Sequence, residues 1–314
     1  MSFSVETKTE LTQIAPEKKC CILAEIAGFM RVGGSIRLLG GGRMQIALQT
    51  EIPAAARSII KLLKSYFGVH AELEVEKTNQ LKKVNVYHLL IESESDAEQI
   101  LRETGILGVR EGYNYITQGI SEHLVKSKCC RKAYLRGLFL GAGTISDPER
   151  SYHFEIVCHN EVLGQDVRRL INSFGLSAKM VQRKNSFVVY LKDSEQIVDC
   201  LNIMGAHGKL LAFENTRVVK EMRNRTNRIV NCETANVDKT IQAASRQIEN
   251  IRLIQERRGL ATLPDKLREV AELRLAEPEI SLQELAELLN PPVGKSGINH
   301  RFRKIEEIAD QLRK

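Results

Sequence analysis

Between Lys295 and Lys304 the chain places four cations, Lys295, Arg301, Arg303 and Lys304, and no carboxylate. The chemistry open to such a segment is recognition of nucleic acid. A guanidinium can make two hydrogen bonds to guanine and a carboxamide two to adenine, so Arg303 and Asn299 are candidates for reading base edges as well as phosphate. Ser296 and His300 complete the polar set. These residues act together only if one element turns them to one side. Ile298, Phe302, Ile305, Ala309 and Leu312 recur at 4-3-4-3 spacing, which predicts a helix with that stripe facing a core. Ser296, Asn299, His300, Arg303 and Lys304 then face outward, flanked by Lys295 and Arg301. A merely solvated basic face would carry the same charges, so the preceding elements must separate the two readings.

Ser281 and Glu284 have capping-box spacing, in which the hydroxyl accepts a backbone amide and the carboxylate reaches back to another. A helix is therefore expected to start there and run through SLQELAELL, and Asn290-Pro291-Pro292 stops it because proline cannot continue the ladder. Ser296 is expected to cap the helix after the turn. A capped helix, a turn and a basic helix in that order make a helix-turn-helix, whose second helix enters the major groove. Acids return at Glu306, Glu307 and Asp310, so the basic face is localised. Upstream, Ile241, Ala244, Ile248, Ile251 and Ile254, then Leu267, Val270, Ala271 and Leu275, predict two further helices separated by Gly259 and Pro264. Residues 217–236, rich in Asn, Arg and Thr and without a long apolar run, are expected to be a linker. Their Arg223, Arg225 and Arg228 could follow a phosphate backbone.

The first two-thirds of the chain is a repeat. Residues 19–36, KCCILAEIAGFMRVGGSI, align without a gap on residues 128–145, KCCRKAYLRGLFLGAGTI, at an offset of 109. Similarity continues through Phe67-Gly68 against Phe174-Gly175, and through VYHLLIESESDAEQIL against VVYLKDSEQIVDCL. Each copy reads as an amphipathic helix, two strands, a helix ending at the Phe-Gly pair, two strands and a short helix; alternation at Met44-Ile46-Leu48, Val84-Val86-His88 and Phe154-Ile156 marks strands. Two αββαββ units in one chain predict a pseudo-twofold body with a shared concave surface suited to duplex DNA. Lys82 and Lys83 in one copy, and Arg183 and Lys184 in the other, fall at expected hairpin tips and are candidates for phosphate contacts.

IAGFMRVGG (residues 26–34) and LRGLFLGAG (residues 135–143) resemble degenerate copies of the motif that names the LAGLIDADG homing endonucleases. In that family, small residues let the two motif helices pack closely, a role that Gly28 and Gly137 suit. An acid near the end of each motif holds a divalent metal for phosphodiester hydrolysis. Those positions here are Gly33 and Ala142, and the other acidic position holds Arg31 and Leu140. The resemblance therefore implies the fold without the catalysis, and no enzyme activity is expected. Asp147, the nearest acid, precedes Pro148 and reads as a turn residue.

SLQELAELLNPPVGKSGINHRFRKI strongly resembles the helix-turn-helix of WhiA proteins, which is itself similar to the promoter-reading region 4 of sigma factors. NRIVNCETANVDKTIQAASRQIENI is similar to that family's linker and first C-terminal helix. The resemblance implies an α+β fold: a LAGLIDADG-like body over residues 1–216, with repeats at about 19–107 and 128–213, the linker, and an all-α DNA-binding domain over residues 237–314. It implies a regulator of transcription in cell division, chromosome segregation and, in some Gram-positive bacteria, sporulation. Double-stranded promoter DNA is the implied partner, with a WhiB-like iron–sulfur protein or an RNA polymerase sigma factor beside it. The competing reading is a nucleoid-associated or protein-docking division factor with little sequence preference.

Composition agrees. The 314 residues carry 46 Lys and Arg against 39 Asp and Glu, a net charge of +7 that favours an acidic partner. The 43% of hydrophobic residues suffice for a core and exclude a disordered chain. No basic-then-apolar N-terminal segment and no run of ~20 apolar residues occurs, so neither a signal peptide nor a membrane partner is expected. The seven cysteines form no C-x-x-C pair, so no zinc or redox site and no cofactor are expected, and reduced thiols point to the cytoplasm and its nucleoid.

Overall fold

The computed structural model describes residues 1–39, 44–77 and 85–313. A helix the sequence reading did not include, α1 (Phe3–Leu11), begins at Ser2, whose hydroxyl accepts the Val5 amide at 3.3 Å. The first repeat follows as α2 (Lys19–Gly33), β1 (Gly34–Leu38), β2 (Met44–Thr50), α3 (Pro53–Phe67), β3 (Glu72–Lys77), β4 (Asn85–Ile91) and α4 (Glu94–Glu103). A hairpin of β5 (Leu107–Arg110) and β6 (Tyr113–Ile116) leads to the second repeat. This comprises α5 (Lys128–Ala142), β7 (Gly143–Ile145), β8 (Phe154–Cys158), α6 (Glu161–Asn172), β9 (Lys179–Arg183), β10 (Ser186–Leu191) and α7 (Ser194–Met204). The remainder is helical: α8 (His207–Arg257), α9 (Asp265–Ala276), α10 (Leu282–Glu287) and α11 (Lys295–Arg313).

The expected αββαββ order thus occurs twice. The two four-stranded sheets share one strand order, β1-β2-β4-β3 and β7-β8-β10-β9, with every pairing antiparallel. The Phe-Gly punctuation has a backbone cause. Gly68 closes α3 at a φ of 72°, and Gly175 follows α6 at 88°, a left-handed conformation that side chains with a Cβ rarely adopt.

The chain divides into two compact units, Met1–Lys220 and Glu221–Lys314. In the first, α2 and α5 lie side by side through the core, running the same way. Glu25 meets Arg136, and further along Val32 meets Gly141. The approach is possible only because two residues lack a Cβ. One added at Gly28 would lie 2.3 Å from the Tyr134 carbonyl oxygen, and one at Gly137 would lie 2.1 Å from that of Glu25. Across the same contact the buried Arg136 donates to Glu25 Oε2 from Nε at 2.9 Å and from Nη2 at 2.5 Å, and to the Met204 carbonyl at 3.2 Å. Burial pushes the Glu25 carboxyl up, and the Arg136 guanidinium opposes the shift.

The expected linker is helical instead. Residues 217–236, read as a linker, belong to the single helix α8, which also contains Ile241 to Ile254. Their polarity all round concealed a helix, yet Gly208 and Gly259 bracket a stretch with neither glycine nor proline to stop one. Its first turns bury Phe213 in the core of the first unit, and Ile251 and Ile254 belong to the core of the second.

Candidate nucleic-acid interface

In the second unit α9, α10 and α11 pack around Val270, Leu285, Ile298, Phe302 and Ile305, all buried. The capping box forms as expected: Ser281 Oγ accepts the Glu284 amide at 3.3 Å, and the Ser281 amide donates to Glu284 Oε2 at 2.8 Å. That backbone bond also holds the Glu284 carboxyl below the usual carboxylate range. After the turn the Val293 amide donates to the Ala286 carbonyl at 3.1 Å, closing α10 onto the entry to α11.

Ser296 does not cap α11. The Gly294 carbonyl accepts the amides of Gly297 and Ile298, so the helix starts one residue before Ser296, which lies exposed within the first turn. The expected stripe is observed: Ile298, Phe302, Ile305 and Ala309 are buried and Leu312 packs against them. Lys295, Ser296, His300, Arg303 and Lys304 are exposed. Asn299 is half-buried and lines a cleft of about 240 Å³ with Arg303, Arg246 and Gln247. Arg301 departs from the expected face. It is half-buried, 3.8 Å from Glu269 Oε2 and 3.5 Å from the Lys266 carbonyl, so it fixes α11 on α9 instead of facing solvent.

A residue the sequence reading passed over holds the motif together. Arg274 is buried, donates to the Ile280 carbonyl at 2.7 Å, and sets its guanidinium 5.6 Å from the Phe302 ring centre. It thereby ties the turn between α9 and α10 to the core side of α11, and burial pulls its pKa down. The signal was available: Arg274 lies on the stripe of Leu267, Val270 and Ala271, where a cation is out of place unless paired.

The candidate phosphate contacts are scattered. Arg223, Arg225 and Arg228 are exposed on α8. Arg183 and Lys184 end the β9–β10 hairpin as expected, but Arg183 is 3.3 Å from Glu155 Oε2. Lys82 and Lys83 lie outside the described residues. Strand alternation puts Glu72, Glu74 and Glu76, all exposed, on one face of β3, with His88 of β4 bridging Glu76 at 3.1 Å. Such a face repels phosphate.

Where the motif helices of the first unit end, Gly33 and Ala142 line one cleft of about 740 Å³. The only carboxylate lining it among the described residues is Glu51, and α1 projects Lys8 into it. Neither motif position offers a side-chain ligand to a divalent ion, and a lysine lines the cleft they share. Arg31, at the other acidic position of the motif, donates to the carbonyls of Thr117 at 2.6 Å and Gly105 at 2.8 Å, pinning the segments around the β5–β6 hairpin. Asp147 is a turn residue as read, its carboxylate accepting the Glu149 amide at 3.0 Å.

Lys8 supplies a test. Burial draws its pKa down to about 8, against about 10.4 in an unfolded chain. Below that window both states carry the charge and the folded state bears the burial cost. Within it only the unfolded chain keeps the proton, so stability rises with pH. Lys8→Met is expected to stabilise the protein by ~1–3 kcal/mol at pH 7, with the gain shrinking towards pH 10. Urea unfolding at the two pH values measures this, and an equal gain at both would show that the lysine's charge is not what costs stability.

Three family models match most of the chain: a WhiA N-terminal LAGLIDADG-like domain over residues 19–107, a WhiA LAGLIDADG-like domain over 131–223 and a WhiA C-terminal HTH domain over 226–309. A probable cell division protein WhiA of Alkaliphilus metalliredigens is 49% identical over 313 residues, covering 100% of this chain and 99% of that one. Its counterpart in Clostridium beijerinckii is 51% identical with the same coverage. Among solved structures, full-length WhiA from Thermatoga maritima is similar at 28% identity and a TM-score of 0.58, covering 99% of each chain. Two degenerate LAGLIDADG-like repeats followed by a helix-turn-helix, matched over the full length by these relatives, place the chain in the WhiA family.

Proposed function

We propose that this chain is a sequence-specific regulator of transcription that binds double-stranded DNA and acts in cell division and chromosome segregation, and in sporulation where its host forms spores. The observation that carries the reading is the amphipathic division of α11. Its apolar stripe is buried, while Lys295, Ser296, His300, Arg303 and Lys304 stand exposed on the second helix of a capped helix-turn-helix. The cell-division context rests on what the curated relatives are called.

The chain does no chemistry on DNA in this reading, since Gly33 and Ala142 offer no metal ligand and Lys8 lies in their cleft. α11 reads the major groove, with Arg303 the first candidate for a base contact and Asn299 the second, provided that its half-buried carboxamide turns outward. Arg223, Arg225 and Arg228 add sequence-independent attraction.

Fragmented genomic DNA of the source bacterium, selected by the full-length protein at ~150 mM salt with Mg²⁺, tests the proposal. A shared motif with intact fragment ends is expected. On that motif Arg303→Ala should reduce discrimination over random duplex by roughly 5- to 150-fold, whereas Arg225→Ala should weaken both alike. Recovery without a motif would favour nucleoid association or protein docking, and new fragment ends would refute the absence of cleavage.

A further inference from the structure

We propose that Cys20, Cys21, Cys129 and Cys130 form a tetrathiolate site for a single Zn²⁺ ion that joins the two repeats of the body. Their sulfur atoms all lie within 4.8 Å of one another. Four sulfurs held at the zinc–thiolate distance of about 2.3 Å in a tetrahedron stand about 3.8 Å apart. No pair of these sulfurs therefore stands more than about 1 Å beyond that spacing, and the structure holds all four thiols free. An iron–sulfur cluster, with its metals and sulfides between the cysteines, needs a wider opening than these sulfurs leave.

The gathering follows from the pairing of the motif helices. Each cysteine pair occupies the first turn of its helix, Cys20 and Cys21 on α2 and Cys129 and Cys130 on α5. The helices run the same way, so the two first turns meet. Parallel helices bring two positive dipole ends together, with Lys18, Lys19 and Lys128 beside them in the sequence, a positive field suited to an anionic metal site. A zinc tetrathiolate carries a net charge of −2 and offsets that field. Ser127 Oγ lies 3.1 Å from Cys129 Sγ, where a hydroxyl can donate to a metal-bound sulfur.

Packing alone explains only part of the cluster. Cys21 and Cys130 are buried and could serve as small apolar residues. Cys20 is exposed and lies outside the core, and Cys129, half-buried, only borders it. Their position leaves the site open to solvent, so an ion can enter and the four thiol protons can leave to water as the zinc–sulfur bonds form. Spacing along the chain gives no hint of this, because the ligands come as two adjacent pairs more than a hundred residues apart.

The test uses the full-length protein purified under reducing conditions without added chelator. Elemental analysis is expected to find about one zinc per chain. Cys20→Ser and Cys129→Ser, both at accessible positions, should each lower retention at least tenfold under dialysis against a chelator, while Cys232→Ser, exposed on α8, should retain it fully. Cobalt titration of metal-free wild type should give the intense thiolate charge-transfer and tetrahedral d–d bands of a four-sulfur site, a readout that does not depend on the variants folding. Protein that neither retains zinc nor gives the cobalt spectrum would overturn the proposal. So would an intact mass showing that these cysteines form disulfides in protein isolated from cells with thiols trapped, or binding of Cu(I) alone.

Discussion

Gly137→Ala is expected to destabilise the first unit by ~3 kcal/mol, the upper end of the usual overpacking cost, although alanine is the better helix residue by ~1 kcal/mol. The sign is what makes the substitution informative. A Cβ at Gly137 would lie 2.1 Å from the Glu25 carbonyl oxygen and 2.9 Å from the Phe29 amide nitrogen. Both are backbone atoms of the facing helix, so no side chain can rotate to make room, and α2 and α5 must move apart by about an ångström along a fully buried contact. Separation opens gaps beside Phe29, Leu138 and Phe139 that are too small for water, and contacts are lost across all of them. Chemical unfolding monitored by circular dichroism measures the loss. A neutral or stabilising result would mean that the two helices do not approach as described.

Arg136→Met is the second large effect, with an expected cost of ~3–5 kcal/mol at pH 7, because it leaves the Glu25 carboxylate buried without a counter-charge. Glu25 would then be held neutral, its folded pKa well above the unfolded value. A raised carboxyl pKa contributes stability below the unfolded value that is lost as pH rises through the folded one. The variant should therefore recover part of its deficit relative to wild type on acidification from pH 7 to pH 5. The double variant Glu25→Met with Arg136→Met should come within ~1–2 kcal/mol of wild type or exceed it, since two apolar side chains replace a desolvated pair. A double variant as damaged as the single one would show that the Arg136 bond to the Met204 carbonyl, and not the ion pair, dominates.

The parts of the fold that local chemistry dictates were legible. The repeat lay open in the gap-free match of residues 19–36 to 128–145, and both copies adopt the same strand order. The capping box at Ser281 and Glu284 and the stripe from Ile298 to Ala309 formed as their spacing requires. What depends on contacts through space was harder to read. Arg301 has the same type and spacing as an exposed groove contact, yet Glu269 of α9 takes it. Ser296 has a capping hydroxyl, but the Gly294 carbonyl starts the helix earlier. The central turns of α8 lack an apolar stripe because almost every side chain there is exposed, so periodicity had nothing to register. The four cysteines show the limit most clearly. Spacing rules look along one strand of sequence, whereas these thiols meet because equivalent positions of two parallel helices meet. Once Gly28 is expected to face Gly137, the same offset brings Cys20 and Cys21 to Cys129 and Cys130, two turns back.

The ion pair between the motif helices also makes the two halves of the body non-interchangeable. In the repeat alignment the counterpart of Glu25 is Tyr134 and the counterpart of Arg136 is Ala27. If two first halves from different chains paired through α2, each Glu25 would face an alanine and remain a buried carboxylate with no cation. Two second halves would strand Arg136 beside a tyrosine in the same way. Each mismatched pairing is costly, since a charge left alone in a core loses its hydration without return. One salt bridge thus tells a first half to close on a second half, and it rejects assemblies in which like halves pair across the axis.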